Sequence, residues 1–364
     1  MEKYCVCVYA ICKNKETFVD RWMDSMSEAD RIVVLDTGST DATVERLRAR
    51  GAEVEIETID PWRFDVARNR SMELVPRDVD ICVCTDLDEV FHRGWRELLE
   101  ETWVPGAGQA TYRYTGSFTP DGAEGVVFWY EKIHARKGYQ WVHPVHEVLA
   151  WIGEGKCGPM VVAEGVQLDH HPDPTKSRGQ YLPLLELSVA EDPEDDRSVH
   201  YLGLEYLYRG RWDDCIRTLK THLEMPKATW RDERAASMRY IARAYLQKGE
   251  PGFAQNWYFR AIAEAPHLRE PYIDLANLLY SQENWEGVLY VTGCALEIVQ
   301  RPRSYICEAE PWGSLPHALR TIAFSRTGRN QEALEEARLA LALEPGNERL
   351  QENMTALERL EKGQ

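Results

Sequence analysis

The sequence predicts an α/β domain with a mostly parallel sheet, followed by an all-α domain of helical repeats. Strands alternate with helices up to about residue 168, the strand pattern ends near Gln180, and helix pairs then recur at intervals of 39 and 34 residues. A chain of 364 residues also exceeds the usual size of a single hydrophobic core. We therefore expect two domains, spanning residues 1–185 and 186–364.

Short apolar runs alternate with amphipathic stretches through the first half. In chain order the predicted strands cover residues 4–11, 31–35, 54–57 and 79–84, and the predicted helices cover residues 16–26, 42–50 and 64–74. Strands that alternate with helices in this way form parallel sheets with helices on both faces. Ligands of such sheets bind beyond the carboxyl ends of the strands. We therefore expect functional residues where these strands end.

The second half repeats a helical pattern. Small residues at positions 203, 242 and 276 are each followed three residues later by a large apolar residue, and turn residues follow these. This pattern resembles the tetratricopeptide (TPR) helix pair of about 34 residues, and an unrelated helical bundle is the alternative. Stacked helix pairs form a curved surface suited to an extended peptide or to another protein. We therefore expect a peptide or protein partner, or a homo-oligomer contact.

The charge balance excludes several classes of partner. The 60 acidic and 43 basic side chains give a net charge of -17, which would repel nucleic acid and anionic membranes. No stretch approaches the roughly 18 consecutive apolar residues of a membrane-spanning helix, and the N-terminus has none of the regions of a signal peptide. We expect a soluble, cytoplasmic protein without an integral membrane segment.

An acidic segment follows the fourth predicted strand. Asp86, Asp88 and Glu89 lie within four residues, directly after an apolar run. Negative charge beside a core is costly unless a positive charge neutralises it. Carboxylate oxygens favour Mg²⁺ or Mn²⁺, and Mg²⁺ completes its coordination with water and substrate phosphates. A divalent cation site is one interpretation, and a solvated acidic loop is the other.

Two further segments could bind a nucleotide. Asp36 and Gly38, at the end of the second strand, offer a carboxylate for a ribose or base edge and a close approach of the backbone. Residues 39–41 could equally cap the next helix. Arg68 lies in the third helix, where it could meet base acceptors or phosphates, although an ordinary exposed helix face is the alternative.

The order and spacing of these segments resemble family 2 glycosyltransferases of the GT-A fold. The resemblance is greatest to the branch that includes lipopolysaccharide-core glucosyltransferases and bacteriocin S-glycosyltransferases. It covers roughly residues 4–185, and the matching segments are residues 8–14, 32–43, 67–69 and 86–89, then Trp141 with Val145-His146-Glu147, and residues 166–170.

The resemblance implies a metal-dependent, inverting transfer from a nucleoside-diphosphate sugar, with a UDP-sugar favoured. It places Ala10, Asn14, Asp36, Gly38, Arg68 and Asp86 around the nucleotide. It assigns Asp86, Asp88 and His170 to a Mn²⁺ or Mg²⁺ ion, with Asp88 as the main ligand. His171 stands beside His170 and is the alternative ligand.

Glycosyl transfer also needs a general base that removes the acceptor's proton. Glu147 is the first choice for this role, and Glu89 and Asp169 come next. Glu147 could instead be a structural acid paired with Arg136 or His143.

The repeats favour a peptide or protein acceptor, and a saccharide or lipid-linked acceptor remains open. The sequence has no obvious basic amphipathic helix that would dock on a membrane, which weakens the lipid alternative. Two other classes are a repeat-based adaptor with an inactive transferase domain and a nucleotidyltransferase. The first strand is not followed by a glycine-rich loop carrying Arg or Lys, which argues against the nucleotidyltransferase.

Overall fold

The computed structural model describes residues 4–119, 122–174 and 179–361. The chain divides into two compact units, of which the first ends at Ser188 and the second begins at Val189. The predicted boundary lies between residues 185 and 186.

The first unit contains ten strands and five helices among the described residues. In chain order they are β1 (Val6–Cys12), α1 (Val19–Met26), β2 (Arg31–Asp36), α2 (Thr43–Ala49), β3 (Glu53–Ile56), α3 (Phe64–Glu73), β4 (Ile81–Asp86), β5 (Glu89–Phe91), α4 (Trp95–Thr102), β6 (Gln109–Thr115), β7 (Val127–Ala135), β8 (Tyr139–Val142), β9 (Val148–Trp151), β10 (Met160–His170) and, across the division, α5 (Tyr181–Glu191). All seven elements predicted up to residue 84 are present, with bounds shifted by at most three residues.

Eight of these strands form one mixed sheet, in the order β3-β2-β1-β4-β7-β6-β10-β5. The strands from β3 to β4 are parallel, as predicted. The rest of the sheet is less parallel than predicted, because β7 runs antiparallel to β4 and β6, and β5 runs antiparallel to β10. Strands β8 and β9 form a separate antiparallel hairpin.

The centre of the sheet is buried on both faces. Every residue of β1 is buried, and its side chains alternate between two apolar cores. Val8 and Ala10 pack on the side of Trp22, whereas Cys7 and Tyr9 pack on the side of Trp141. Burial on both faces explains why central parallel strands appear in the sequence as continuous apolar runs.

The second unit is an all-helical repeat. Its helices are α6 (Asp196–Tyr208), α7 (Trp212–Glu224), α8 (Arg231–Gln247), α9 (Pro251–Glu264), α10 (Glu270–Ser281), α11 (Trp285–Glu297), α12 (Leu315–Arg326), α13 (Asn330–Leu343) and α14 (Glu348–Glu361). Each of these helices packs on the next one in the chain. The first helix of each pair is followed by a residue with positive φ: Gly210, Gly249, Glu283 or Gly328.

Small residues permit the close approach of paired helices. A Cβ atom on Gly203 of α6 would lie 2.3 Å from Cδ2 of Leu219 in α7. Ala242 and Ala276, at the corresponding positions of the next two pairs, are completely buried. The recurrence of small residues in the sequence therefore reflects helix crossings. Within the described residues, no helix combines the length and apolar character needed to cross a membrane.

Candidate functional site

A cavity of about 310 Å³ opens at the carboxyl edge of the parallel strands. Strands β1, β2 and β4 each end at or beside it, as expected for a sheet of this type. Its walls are Ile11, Cys12, Lys13, Lys15, Thr37, Thr58, Ile59, Trp62, Phe64, Asp86, Leu87, Asp88 and Gln180. Two residues of the predicted site, Asp86 and Asp88, therefore line the same cavity.

Trp62 brings an unsatisfied donor to this cavity. Its indole Nε1 is buried and has no hydrogen-bond partner among the described residues. Buried polar groups are normally hydrogen-bonded, so a buried donor in a pocket wall is a candidate ligand contact. The sequence did not indicate Trp62, because a single tryptophan in the loop between β3 and α3 carries no pattern of its own.

Asp36 organises the loop that follows β2. Its completely buried carboxylate accepts hydrogen bonds from the backbone N of Gly38 (3.0 Å), the backbone N of Ser39 (2.8 Å) and the Ser39 hydroxyl. Asn14 ties the neighbouring loop to this one, because its side-chain oxygen accepts from the Thr40 backbone N at 2.8 Å. Asp36, Gly38 and Asn14 thus shape the strand ends, and their contacts with a nucleotide stay predictions.

Ala10 lies one residue before the cavity wall. It is completely buried inside β1, and the next residue, Ile11, lines the cavity. Its predicted contact with a nucleotide also stays a prediction.

Arg68 joins the acidic segment to Glu147. This buried guanidinium donates from Nε to Glu147 Oε1 at 2.8 Å, and its second terminal nitrogen lies 2.8 Å from Asp86 Oδ1. Burial by itself would lower the pKa of Arg68, but the negative charges of Asp86 and Glu147 hold that pKa well above its usual value. Arg68 therefore positions two predicted site residues at once.

Lys132 is a second buried cation beside the acidic segment. Its Nζ lies 2.9 Å from Glu89 Oε1 and 3.4 Å from Asp86 Oδ2. Glu89 also accepts from the Tyr114 hydroxyl at 3.0 Å and from the Asp86 backbone N at 2.8 Å. These contacts engage both oxygens of Glu89, so it serves as an internal counter-charge. The sequence feature that could have predicted this role is a lysine within strand β7, because a buried lysine needs a carboxylate partner.

Asp88 and His170 are far apart in the sequence, and their side chains lie close together in the structure. Asp88 Oδ1 lies 3.9 Å from His170 Nε2. The His170 Nδ1 lies 3.1 Å from the carbonyl oxygen of Gly116, which can only accept a hydrogen bond. In the neutral imidazole that bond places the proton on Nδ1, so the lone pair of Nε2 is then on the side of Asp88.

The rings of His170 and His171 occupy different places. The His171 ring stacks on Phe118, with centroids 5.3 Å apart, while its backbone N donates to the Asp88 carbonyl oxygen. Asp169 is paired with His92 at 2.8 Å. Of the two histidines, it is therefore the side chain of His170 that faces Asp88.

Lys15, a further cavity residue outside the sequence prediction, connects Asp88 to Asp173. Its Nζ lies 3.5 Å from Asp88 Oδ2 and 2.9 Å from Asp173 Oδ2. With Arg68 and Lys132 it completes a network of ion pairs around the cavity. Among the described residues, these three cations pair with five carboxylates, which are Asp86, Asp88, Glu89, Glu147 and Asp173.

The side chains of Asp88 and His170 are close enough to bind one divalent cation. Mg²⁺ binds its ligands at about 2.1 Å, so two atoms on opposite sides of one ion lie up to about 4.2 Å apart. The 3.9 Å between Asp88 Oδ1 and His170 Nε2 is within that limit.

The loop that carries Glu147 is held in a rare backbone conformation. Between β8 and β9, His143 and His146 have φ values of 77° and 53°. Asn69 of α3 fixes the start of this loop, since its amide pairs with both the N and the O of Trp141, at 2.9 and 2.8 Å. Strained residues persist where the surrounding structure over-determines them, often at functional sites.

Comparison with known proteins finds distant structural likenesses. No family of known proteins matches the sequence, and no curated protein matches it either. The crystal structure of MamA is 18% identical, with a TM-score of 0.37, over 45% of this chain and 86% of MamA. PilF of Pseudomonas aeruginosa is 15% identical, with a TM-score of 0.37, over 48% of this chain and 72% of PilF.

A TPR protein of Thermus thermophilus is 16% identical, with a TM-score of 0.36, over 48% of this chain and 88% of that protein. At TM-scores this low, the repeat architecture of the second unit rests on its own helix pairs.

Proposed function

We propose that this protein is a metal-dependent glycosyltransferase that moves a sugar, with inversion at the anomeric carbon, from a nucleoside-diphosphate sugar to a peptide or protein acceptor. One observation carries the proposal: Asp88, in the wall of the 310 Å³ cavity, lies 3.9 Å from the Nε2 atom of His170. A carboxylate and an oriented imidazole at a strand-end cavity suit an ion that binds a diphosphate.

The cavity supports a nucleotide donor. Ligand pockets combine apolar and aromatic walls with a few placed polar groups, and Ile59, Trp62 and Phe64 stand here with Thr37 and Asp86. A carbonyl oxygen of a pyrimidine base would supply the acceptor that Trp62 Nε1 lacks within the described residues. A UDP-sugar is therefore the donor that we favour.

Asp88 and His170 are the residues that we expect to hold Mn²⁺ or Mg²⁺, whereas the carboxylate of Asp86, the third ligand predicted from the sequence, is engaged by Arg68 and Lys132. When bound, the ion would stabilise the negative charge of the departing diphosphate. Mg²⁺ is bound mainly by oxygen ligands, so a site that includes an imidazole favours Mn²⁺. Arg68 and Lys132 hold Asp86 in place from the protein side.

Glu147 is the general base of the proposed reaction. Its Oε1 accepts from Arg68, and no described residue donates a hydrogen bond to its Oε2. Oε2 is therefore the atom that would take the acceptor's proton as the nucleophile attacks the anomeric carbon. Arg68 acts as a positioning residue, since it orients Glu147 and Asp86.

The helical unit supports the choice of acceptor. Paired helices that stack in sequence expose extended surfaces, which suit a peptide better than a small molecule. A saccharide or lipid-linked acceptor is the alternative outcome of the experiment below.

The test is a donor panel with the full chain. We would incubate the protein with Mn²⁺ and nucleoside-diphosphate sugars, with and without peptide, saccharide and lipid-linked acceptors, and follow the products by mass spectrometry. Nucleoside diphosphate together with a glycosylated peptide is the expected result. Release of sugar 1-phosphate, the group left when the nucleotidyl part of the donor is transferred, would indicate a nucleotidyltransferase. Silence across the panel, with no nucleotide binding, would favour an adaptor with an inactive transferase domain.

A further inference from the structure

A second group of metal-ligating side chains lies in the helical unit. His200 of α6, His222 of α7 and Glu233 of α8 meet in the interior, where they are 1%, 0% and 5% exposed. Their nitrogen and oxygen ligand atoms all lie within 4.8 Å of one another. This cluster belongs to the second unit and takes no part in the site described above.

One nitrogen of the cluster has no hydrogen bond. His222 Nε2 is buried and lies 3.3 Å from Glu233 Oε1, but it makes no hydrogen bond with that oxygen or with any other described atom. A buried polar atom that is left unpaired destabilises the folded protein. His222 Nε2 and Glu233 Oε1 thus lie close together without the geometry of a hydrogen bond. Two atoms that bind the same metal ion have this arrangement.

The remaining polar atoms hold these ligands in place. The Ser237 hydroxyl lies 2.8 Å from His200 Nδ1 and 3.0 Å from His222 Nδ1. The Tyr305 hydroxyl donates to Glu233 Oε2 at 2.7 Å. Residues that bind a metal usually have such outer partners, which set the tautomer and the direction of each ligand.

Repeat packing does not require this cluster. With the helix pairs aligned at a spacing of 39 residues, His222 corresponds to Ala261, which is completely buried. The next pair therefore fills the same place with an apolar side chain. The first pair carries the imidazole of His222 there instead, at the cost of burying it, so a separate role for this side chain is expected.

We propose that His200, His222 and Glu233 bind a transition-metal ion, Zn²⁺ in the first instance, that joins α6, α7 and α8. Two imidazoles and one carboxylate form a known Zn²⁺ donor set, and imidazole ligands favour Zn²⁺ over Mg²⁺ or Ca²⁺. Because the three ligands come from three consecutive helices, the ion stabilises the first part of the repeat. This inference is independent of the proposed glycosyl transfer.

The experiment measures metal binding and stability in the full chain. We would purify the protein without a histidine tag, remove metal with a chelator and titrate Zn²⁺ in the Asp88→Asn background, which removes the main ligand of the other candidate site. One Zn²⁺ per chain and a rise in thermal midpoint are expected. His222→Ala should weaken Zn²⁺ binding by more than the roughly 10–100-fold typical of changes to outer partners.

His92→Ala is the control, since the His92 side chain is 51% exposed and lies in the other unit. It should leave the Zn²⁺ titration unchanged. Absorption of Co²⁺ bound to the Asp88→Asn protein provides a second readout that does not depend on the folding of His222→Ala. Visible bands of four-coordinate Co²⁺ are expected. A protein that takes up neither ion, or a Zn²⁺ titration that is the same in folded His222→Ala, would show that the cluster is only a buried polar network.

Discussion

The Asp88 carboxylate has two neighbours. One is the imidazole of His170, which could bind a metal ion together with it, and the other is the positively charged ammonium of Lys15. We predict that Asp88→Asn abolishes metal-dependent turnover and leaves the fold intact, because an amide keeps the shape of the side chain but not its charge. Turnover would be measured as nucleoside diphosphate released against Mn²⁺ concentration, and circular dichroism would check the fold.

The exposed Asp78, paired with Arg31 at the surface, provides the matched control. Asp78→Asn should retain full turnover. Undiminished turnover in Asp88→Asn would refute the metal assignment.

Among the described residues, Arg68 is the one hydrogen-bond donor to the Glu147 side chain. It links Glu147 to the rest of the site. Glu147→Gln keeps an oxygen that can accept from Arg68 but cannot take a proton. We therefore expect transfer to fall by roughly 10²–10⁴-fold, the usual contribution of a general base, while the Kd of the donor nucleotide is unchanged. Calorimetric titration and single-turnover rates would separate the two quantities.

The exposed Glu154 serves as the control for this substitution. Glu154→Gln should alter neither quantity. Equal losses of binding and transfer in Glu147→Gln would place the base elsewhere.

The residues that sequence analysis did not identify share a physical reason. Lys15 and Lys132 acquire their roles from contacts with distant parts of the chain, such as the approach of Lys132 to Glu89. Trp62 acquires its role from its place in the wall of a cavity that distant segments enclose. The acidic segment could be predicted because its signal is local, a run of carboxylates directly after a buried strand. Asp36 shows the limit of such local signals. Its place at the end of a strand predicts a contact with a nucleotide, whereas the structure surrounds its carboxylate with hydrogen-bond donors from its own loop.

At the scale of elements, helix crossings depend on small residues. We predict that Gly203→Ala destabilises the second unit by about 1–3 kcal/mol, because the new methyl group would overlap the buried Leu219. Thermal unfolding of the variant and the wild type would measure the difference.

Gly252 of α9 offers the matched comparison, because a Cβ atom there would meet nothing within 4 Å and its φ is not positive. Gly252→Ala should stabilise the protein by about 0.4–1 kcal/mol. Equal effects of the two substitutions would mean that the α6–α7 crossing does not limit stability.

Prediction of the elements succeeded where the periodicity is local. The strands and helices up to β4 follow from apolar runs and helical spacing within each segment. The position of β7 does not, because its residues 133–135 pair with residues 81–83 of β4, about fifty positions earlier in the chain. This long-range antiparallel pairing makes the sheet mixed and brings Lys132 to the acidic segment.

For the whole molecule, buried histidines make stability depend on pH. His134 is completely buried, its Nδ1 donates to the carbonyl of Ala135, and its Nε2 accepts from the Tyr9 hydroxyl. Burial lowers the pKa of His134 from 6.5 to about 4. The unfolded chain therefore binds one more proton than the folded protein between these two values.

The sign of the effect follows from this difference. The contribution of neutral His134 to the free energy of unfolding is fully present above pH 6.5. It is lost as the pH falls towards 4, and the loss amounts to roughly 3 kcal/mol. We predict that His134→Gln removes about this much of the acid loss, measured as the difference in free energy of unfolding between pH 7 and pH 4 in urea. Above pH 7 the two proteins should have parallel pH profiles. An unchanged acid loss would contradict the assignment.

Lys15 couples the ligands of the proposed site to each other. Its ammonium already neutralises part of the charge of Asp88, so a divalent ion arriving alone would meet a like charge close by. A diphosphate placed between the two cations would be attracted to both. Metal and nucleotide should therefore bind with positive linkage, each raising the affinity for the other by the same factor. Equilibrium dialysis of Mn²⁺ with and without UDP would reveal this reciprocity, and Lys15→Met should bind Mn²⁺ more tightly when no nucleotide is present.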